Sequence, residues 1–211
     1  MKILYKNILI RDAKENDATI LTKWWNDGKI MAHAGFPEGI NTTVQKVKHQ
    51  LQEEIKNHKH RLIIEYKDCP IGEMCFFPCH DAVEIGIKIC EINMQNQGLG
   101  HTILTLFIHE LFQKGVPKIV LSTDLNNLRA QHVYEKIGFQ KYDIQYNYWK
   151  DPQGEMHSAI FMNCYRKILF INENNFQKNK RTAKSLFSYF HLFIKKALEI
   201  RGSFYNTFCP L

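Results

Sequence analysis

Apolar and polar residues alternate over residues 83–90, and this period of two predicts a strand. The branched side chains at positions 83, 85, 87 and 89 share one face, so Glu84 lies on the opposite face. An amphipathic helix that ends at Gly115 is predicted next, from Ile103, Leu104, Phe107, Ile108, Leu111 and Phe112. A second strand follows at residues 118–122. Strand, helix and strand form a crossover, so the two strands are predicted to be parallel.

Further elements are predicted on both sides of this crossover. The N-terminal half gives a strand, two helices and a hairpin, at residues 8–11, 12–28, 41–55 and 61–77. Val44, Val47, Leu51 and Ile55 form the expected apolar face of the second helix. The C-terminal half gives a helix from Asn126 or Asn127 to Gly138, then strands at residues 139–149 and 157–167.

A change in composition near residue 170 divides the chain into a main domain, residues 1–170, and an extension, residues 171–211. Within the extension, residues 172–179 are typical of a polar linker. Residues 182–200 place a broad apolar face at helical spacing, bordered by Lys and Arg. Such a helix packs on protein or lies on an anionic membrane or RNA. We expect it to pack on the domain or to join a homo-oligomer, and we expect neither a membrane nor a nucleic-acid partner. An extension with no selected role is the remaining alternative.

The formal net charge of +7 suggests an anionic partner until its distribution is considered. Seven Lys or Arg against two Glu in residues 172–211 account for +5, which leaves +2 for residues 1–171. The main domain is therefore nearly neutral. It gives no sign of the strongly acidic cleft that a polycationic substrate favours.

Several features predict a cytoplasmic protein with reduced thiols. Lys and Arg interrupt the apolar positions of the N-terminus, unlike in a signal peptide. No run approaches the ~18 apolar residues of a membrane span. The six cysteines are too few and too scattered for a secreted disulfide scaffold. Cys75, Cys79 and His80 invite a metal interpretation, but no second Cys/His pair has zinc-finger spacing, so we expect ordinary buried thiols and no metal.

The heptapeptide 95–101, QNQGLGH, joins the alternating strand to the amphipathic helix, and its two glycines have two explanations. Glycines let an anion approach the unpaired N–H groups of a helix start, where the helix dipole favours negative charge. They also supply the positive φ of a strand-to-helix turn. A P-loop requires Lys-Ser/Thr after the second glycine, and a dinucleotide fingerprint requires a third glycine. The chain has His101–Thr102 and Ile103 at those places, so both fit poorly.

The heptapeptide resembles the coenzyme A loop of the GNAT superfamily of N-acetyltransferases, Q/R-x-x-G-x-G/A. Residues 127–139, NLRAQHVYEKIGF, resemble the signature N-x-x-A-x-x-x-Y-x-K-x-G-F of that superfamily. The resemblance covers about residues 7–168 and is closest to the ribosomal-protein-alanine and spermidine/spermine acetyltransferase branch. It implies an α/β (α+β) fold, in which helices cover both faces of a mixed, mostly antiparallel sheet of six to seven strands. The C-terminal helical extension is added to that fold.

This resemblance implies acetyl transfer from acetyl-CoA to a primary amine, without a metal. The loop backbone is expected to hold the pyrophosphate, and the end of the preceding strand to pair with the pantetheine arm. The implied cofactor contacts are Ile87, Ile89, Ile92, Gln95, Asn96, Gln97, Gly98, Leu99, Gly100, His101, Thr102, Asn127, Ala130 and Tyr134. Asn127 alternatively caps the helix. His101 departs from the small or basic residues common at its position, and its protonated form predicts tighter acetyl-CoA binding below neutral pH.

Two side chains are the implied proton-transfer groups. Tyr134 protonates or hydrogen-bonds the departing thiolate; the alternative is a buried tyrosine with a satisfied hydroxyl. Glu84 is the first candidate for the base that receives the amine proton, with Glu73 in reserve. The alternative for Glu84 is a solvated carboxylate on a strand.

The acceptor amine is expected to lie across the loop 31–41 and its flanking helices, with His33, Phe36 and Glu38 as candidate contacts. The same residues equally suit an exposed connector. For Trp24 and Trp25 we expect helix packing rather than a cage around a cationic substrate.

Two functions of different class remain. The first is an acetyltransferase that acts on a small polyamine-like or aminoglycoside-like molecule, or on a protein N-terminal amine. The second is a non-catalytic coenzyme A-binding or interaction protein that retains the fold. The intact glycine motif, Asn127 and Tyr134 favour the enzyme, but the sequence does not name the amine.

Overall fold

The computed structural model describes residues 1–166, so the predicted linker and the amphipathic segment 182–200 lie outside the described residues. The strands are β1 (Lys2–Tyr5), β2 (Ile8–Asp12), β3 (His60–Tyr66), β4 (Cys69–Cys79), β5 (Ala82–Ile89), β6 (Lys118–Asp124), β7 (Gln140–Lys150) and β8 (Met156–Tyr165). The helices are α1 (Ala18–Trp25), α2 (Gly28–Met31), α3 (Val44–Lys56), α4 (Leu99–Gln113) and α5 (Leu128–Ile137). None of the helices in the described part combines the length and the hydropathy needed to cross a bilayer.

The strands form one sheet in the order β1-β2-β3-β4-β5-β6-β8-β7. Only β5 and β6 are parallel, and every other neighbouring pair is antiparallel. This confirms the predicted crossover and the mixed, mostly antiparallel sheet. The described sheet has eight strands rather than six or seven, because Lys2–Tyr5 pairs with β2 at one edge. The alternation that marks a half-buried strand fails there, since Leu4 is 70% exposed.

Helices cover both faces of the sheet. On one face, the main core packs α4 and the inner side of α5 against the aliphatic side of β5, including Val83 and Ile85. On the other face, a second core packs α1 and α3 against Ile63 and Cys90. The apolar positions that predicted the strands and helices therefore lie in these two cores, one on each face of the sheet.

Two expectations for the N-terminal half are wrong in detail. The predicted loop 31–40 is partly helical, because α2 runs to Met31 and a 3-10 turn follows at Ala32–Ala34. Ile55 does not lie on the buried face of α3 and is 69% exposed. Glu54 is buried in its place, because its carboxylate accepts hydrogen bonds from Arg61 at 2.6 and 2.9 Å.

The ladder between β5 and β6 is short. It contains only the pairs Val83 with Ile119 and Glu84 with Val120. Beyond these pairs, β5 continues to Ile89 while β6 pairs with β8 on its other side. The two strands therefore diverge after Glu84. Among the described residues, the edge of β5 that faces the opening retains peptide groups without a strand partner.

Candidate functional site

The loop 95–102, called here the glycine loop, leads from the end of β5 into α4. Gly98 is the residue before the helix and has φ +75°, so the turn explanation holds at that position. Gly100 has no positive φ, and a Cβ added there would meet no atom within 4 Å. Neither backbone conformation nor packing requires glycine at 100. The open space above its backbone leaves room for a bound group.

The start of α4 presents unpaired donors to that space. Within residues 1–166, the first backbone N–H of the helix that is hydrogen-bonded is that of Thr102, which donates to the carbonyl of Gly98 at 3.2 Å. The N–H groups of residues 99–101 have no protein acceptor in the same range. Free donors and a helix N-terminus together form a site suited to an anion.

Side chains fix the glycine loop in this position. Nε2 of Gln95 donates to the carbonyl of Ile89 at 2.8 Å, which ties the loop to the end of β5. Arg129, from the first turn of α5, donates to Oε1 of Gln95 at 3.3 Å. Gln97 donates to the carbonyl of Asn93 at 2.6 Å. Arg129 brings a positive charge to the loop, and no pattern in the sequence indicated this role.

The remaining residues of the glycine loop are largely exposed. Asn96 has φ +61°, and His101 is exposed in the first turn of α4. Leu99 is half-buried against the main core. The loop therefore has a packed inner side and a solvent-facing backbone.

The side chains of the diverging part of β5 pack away from the opening. Ile87 and Ile89 are partly buried against the main core. Ile92 lies beyond the strand in a 3-10 turn and is 59% exposed. A ligand along this edge would therefore meet the backbone of β5 rather than these side chains.

Helix α5 carries Tyr134 into the main core, where its ring is 9% exposed and lies 5.9 Å from the ring of Phe139. Burial raises the pKa of Tyr134 to about 12. Within residues 1–166 every fully buried side-chain oxygen or nitrogen has a hydrogen-bond partner, whereas the hydroxyl of Tyr134 has none there, so its oxygen keeps some contact with solvent. Asn127 caps the helix, since its Oδ1 accepts from the N–H of Ala130 at 3.2 Å. Gly138 ends the helix at φ +113°.

Glu84 lies at the point where β5 and β6 diverge. It is half-buried, with Phe77 of β4 opposite it on one side and Val120 of β6 on the other. Its side chain lies on the face opposite the main core, as the alternation predicts. The carboxylate contributes, after burial, to the raised pKa of Cys79 and of Tyr142.

Glu73 occupies a different environment. Its side chain is 1% exposed, pairs with Arg61 and Lys88, and accepts a hydrogen bond from Nε1 of Trp25 at 2.8 Å. Burial raises the pKa of Glu73, but the two cations outweigh burial and the net effect lowers the pKa. A buried carboxylate held by two cations is poorly suited to accept a proton from a substrate.

Both tryptophans of α1 are buried in the protein rather than exposed at its surface, as expected. Trp24 is fully buried and donates to Oε1 of Glu91 at 2.9 Å. Trp25 is 4% exposed, with the guanidinium of Arg61 4.7 Å from its ring centroid.

The residues expected to contact the acceptor amine lie in a segment that is fixed to the second core and to α1. His33 belongs to the 3-10 turn Ala32–Ala34, Phe36 is half-buried against the second core, and Glu38 is exposed. The backbone returns to α1, because the N–H of Ile40 donates to the carbonyl of Trp25 at 2.8 Å.

An exposed aromatic surface lies on the same sheet face as Glu84, and the sequence did not reveal it. Phe161 of β8 contacts Tyr142 and Tyr148 of β7, at centroid distances of 6.2 and 5.2 Å. Register shifts in β7, with Asn147 at φ +51°, bring these rings to Phe161. Pairing of Ser122 with Phe161 continues the surface onto β6.

Above this aromatic surface, the ring of His157 lies between two carboxylates. Its Nδ1 is 3.1 Å from Oδ2 of Asp124, and its Nε2 is 3.1 Å from Oδ2 of Asp151. The ring of Trp149 stacks on it at 4.2 Å and 11°. Trp149 also lies directly against Gly35, where a Cβ would stand 1.9 Å from Cη2 of the indole. These residues are far apart in sequence and form no linear motif.

The described residues contain no group of three or more His, Cys, Asp or Glu side chains that could hold a metal ion. Cys75 is buried and Cys79 is half-buried within β4, and His80 lies in the following turn.

The model of the acetyltransferase (GNAT) domain family matches residues 7–140. Over 71 residues, the chain is 39% identical to the ribosomal protein bS18-alanine N-acetyltransferase of Haemophilus influenzae. That match spans 34% of this chain and 48% of the relative, so the chain spans about half the length of this relative.

Solved structures share the fold at low sequence identity. The spermidine N-acetyltransferase of Vibrio cholerae, in complex with CoA and spermine, superposes with a TM-score of 0.69 at 18% identity, covering 78% of this chain and 98% of that one. The ribosomal-protein-S5-alanine acetyltransferase of Vibrio fischeri gives a TM-score of 0.68 at 15% identity, with 78% and 96% coverage. The family match over more than half of the residues shows that this chain belongs to the GNAT acetyltransferase family.

Proposed function

We propose that this protein is an N-acetyltransferase that transfers the acetyl group of acetyl-CoA to a primary amine. The observation that carries the proposal is the start of α4, where Gly100 leaves open space above N–H groups that have no acceptor within residues 1–166. This donor set fits the pyrophosphate of coenzyme A. The open edge of β5 begins next to it and suits an extended amide-containing arm.

The same arrangement supports roles for the other motif residues. Residues 97–102 hold the pyrophosphate, with Gln95 and Arg129 fixing the loop. The backbone of residues 87–92 pairs with the pantetheine arm. Asn127, Ala130 and Tyr134 of the α5 segment line the other side of the opening. The thioester then reaches the divergence beside Glu84, where positioning of the reactants lowers the barrier.

Acetyl transfer from there requires three proton movements. The amine must lose a proton, which Glu84 accepts directly or through a water molecule, before its nitrogen attacks the thioester carbonyl and forms the new carbon–nitrogen bond. The carbon–sulfur bond then breaks, and the departing thiolate receives a proton from the hydroxyl of Tyr134. The nitrogen, which is still positively charged after the attack, loses its second proton and thereby restores the tyrosine hydroxyl, directly or through water. A hydroxyl with a pKa of about 12 stays protonated near neutral pH and can donate to the thiolate. The carboxylate and the tyrosine belong to opposite faces of the sheet, so the thioester would lie between them.

The acceptor amine approaches from the face that carries Glu84. Here the aromatic surface of Tyr142, Tyr148 and Phe161 lies on the same sheet face as the carboxylate, and aromatic rings together with a negative charge favour an ammonium group. Phe36 and Glu38, with His33, lie in the segment whose Gly35 touches Trp149 of the same face.

Two acceptor classes remain for this site. The relative from Haemophilus influenzae is named for alanine acetylation of a ribosomal protein, and the Vibrio cholerae structure holds spermine. We propose a protein N-terminal amine or a small polyamine-like or aminoglycoside-like molecule as the acceptor. The non-catalytic alternative gains no support from residues 1–166, where the tyrosine hydroxyl retains no protein partner.

We also propose that the enzyme acts in the cytoplasm, where acetyl-CoA and reduced thiols occur together. A homo-oligomer through the amphipathic segment 182–200 belongs to the same proposal, and that segment lies outside the described residues.

Direct binding and product analysis test this function. Calorimetry with acetyl-CoA should give a saturable one-to-one isotherm. Mass spectrometry of the reaction mixture should then show a gain of one acetyl group on an amine from a panel of polyamines, aminoglycosides and N-terminal peptides. Failure of acetyl-CoA to bind would refute the assignment of the glycine loop.

A further inference from the structure

We propose that His157 is a positioning residue for the amine acceptor, and that in its doubly protonated form it joins the acceptor segment to the start of α5. The inference rests on the proposed function, since it concerns the acceptor side of the same site. It depends on three groups that contact one imidazole ring, at the end of β6, in the β7–β8 turn and on Trp149, and on the contact of Trp149 with the segment 31–40.

The geometry requires two protons on the ring. A carboxylate oxygen lies 3.1 Å from each ring nitrogen, and an ionised carboxylate accepts hydrogen bonds but cannot donate them. A neutral imidazole has one N–H, so one of the two contacts would place a lone pair against a carboxylate. Only the imidazolium satisfies both Asp124 and Asp151, through two charge-assisted hydrogen bonds.

Each carboxylate organises a separate part of the chain. The other oxygen of Asp151 accepts from the N–H of Glu155 at 2.8 Å and closes the turn between β7 and β8. The other oxygen of Asp124 accepts from the N–H of Asn126 at 2.7 Å and shapes the connection into α5. The N–H of Asn127, the cap of that helix, donates to the carbonyl of Asp124 at 2.9 Å. His157 therefore links the turn to the helix that carries Tyr134.

The stacked indole extends this link to the acceptor segment. Trp149 lies on the imidazole ring at 4.2 Å, and a cation on an indole face is held more firmly than a neutral ring. The other edge of the indole lies against Gly35, so close that no side chain fits there. Phe36 follows directly. A shift of Trp149 would therefore move the segment proposed to contact the amine.

The charges around the ring favour protonation. The titratable groups that face it are Asp124 from β6 and Asp151 from the turn, while β7 contributes the uncharged ring of Trp149. Partial burial lowers the pKa of His157, but hydrogen bonds to Asp151 and Asp124 outweigh it and raise the pKa above the ordinary value of 6.5. Because the folded-state pKa is raised, the contribution is complete below about pH 6.5 and is lost as the pH rises through the folded-state pKa.

Steady-state kinetics with His157→Gln separates positioning from general damage. At pH 6 we expect the KM for the amine to rise about tenfold, the order of one charge-assisted hydrogen bond, with kcat and the KM for acetyl-CoA nearly unchanged. The ratio of the two amine KM values should approach one at pH 9. His157→Arg, which keeps the charge and two donors, should restore a low KM that no longer depends on this pH range. His49→Gln, an exposed histidine on α3, is the matched control and should behave like the unchanged protein.

Hydrogen exchange gives a readout that does not depend on catalysis. In the unchanged protein, exchange in residues 31–40, relative to residues 44–56 as an internal reference, should accelerate above the pKa of His157 measured by ring NMR. In His157→Gln the faster exchange should be present at every pH. If the unchanged protein transfers no acetyl group but shows this exchange pattern, the proposed function fails and the link survives. Equal exchange and equal amine KM values in the two proteins at pH 6 would overturn the role of His157.

Discussion

Glu84 of β5 and Val120 of β6 form the last residue pair before the two strands diverge. The pair places a half-buried carboxylate at the inner end of the opening whose outer end is bounded by the glycine loop. A co-substrate held by its phosphates at the loop and extended along β5 would bring its acyl group to this pair. The proposed anion site and the proposed base therefore lie at the two ends of the same opening along β5.

Glu84→Gln should slow acetyl transfer without unfolding the protein. Loss of a general base lowers kcat about 100- to 10,000-fold, while a half-buried carboxylate-to-amide change preserves volume. Acetyl-CoA affinity by calorimetry should be unchanged. Glu110→Gln, on the outer surface of α4, is the control and should retain full activity. A fully active Glu84→Gln would remove this residue from the mechanism.

Glu73→Gln should have the opposite profile, with a large effect on stability. Removing one partner of a buried ion pair leaves Arg61 without full compensation and costs about 3–5 kcal/mol. Because the folded-state pKa of Glu73 is lowered, its contribution is present above about pH 4.5 and is lost as the pH falls further. The difference in free energy of unfolding between the two proteins, from denaturant titrations, should therefore shrink in acid. Glu53→Gln, an exposed position on α3, should show little change at any pH.

Gly100→Val should separate binding from folding. A Cβ at this position meets no protein atom within 4 Å, so the melting temperature should change by no more than about 2 °C. The added side chain would occupy the proposed phosphate space, so we expect acetyl-CoA affinity to fall at least about tenfold, the equivalent of one good hydrogen bond. Gly98→Ala is the informative contrast, because its φ of +75° makes any side chain strained and should lower stability as well. Normal affinity in Gly100→Val would contradict the location of the phosphates.

Local sequence patterns were sufficient to predict the frame of the site. Some features can be predicted from residues that are close in sequence. They are the period of two in β5, the three- and four-residue steps of α4, and the glycines that end helices. Non-local features could not be predicted in this way. Asp124 and His157 are 33 residues apart and meet only through the pairing of β6 with β8. The bulges of β7 direct Tyr142 towards Phe161, and no alternation in the sequence indicates them.

The sequence patterns also failed at an edge strand of the sheet and at a buried carboxylate. Within residues 1–166, β1 pairs with β2 alone and exposes Leu4, so it lacks the apolar alternation of an inner strand. Glu54 replaces Ile55 on the buried face of α3, because Arg61 supplies two hydrogen bonds from a strand seven residues later. A pattern of apolar positions cannot anticipate a buried carboxylate whose partner lies in another element.

Release of free thiol from acetyl-CoA in the presence of each amine of the panel, with Tyr134→Phe measured in parallel, tests the proposed acetyl transfer. We expect amine-dependent thiol release by the unchanged protein and a loss of about 100-fold or more in kcat for the variant, with acetyl-CoA binding retained. Equal rates of thiol release by the two proteins would contradict the role of Tyr134. Acetyl-CoA binding without stimulation by any amine would instead favour a coenzyme A-binding protein without this activity.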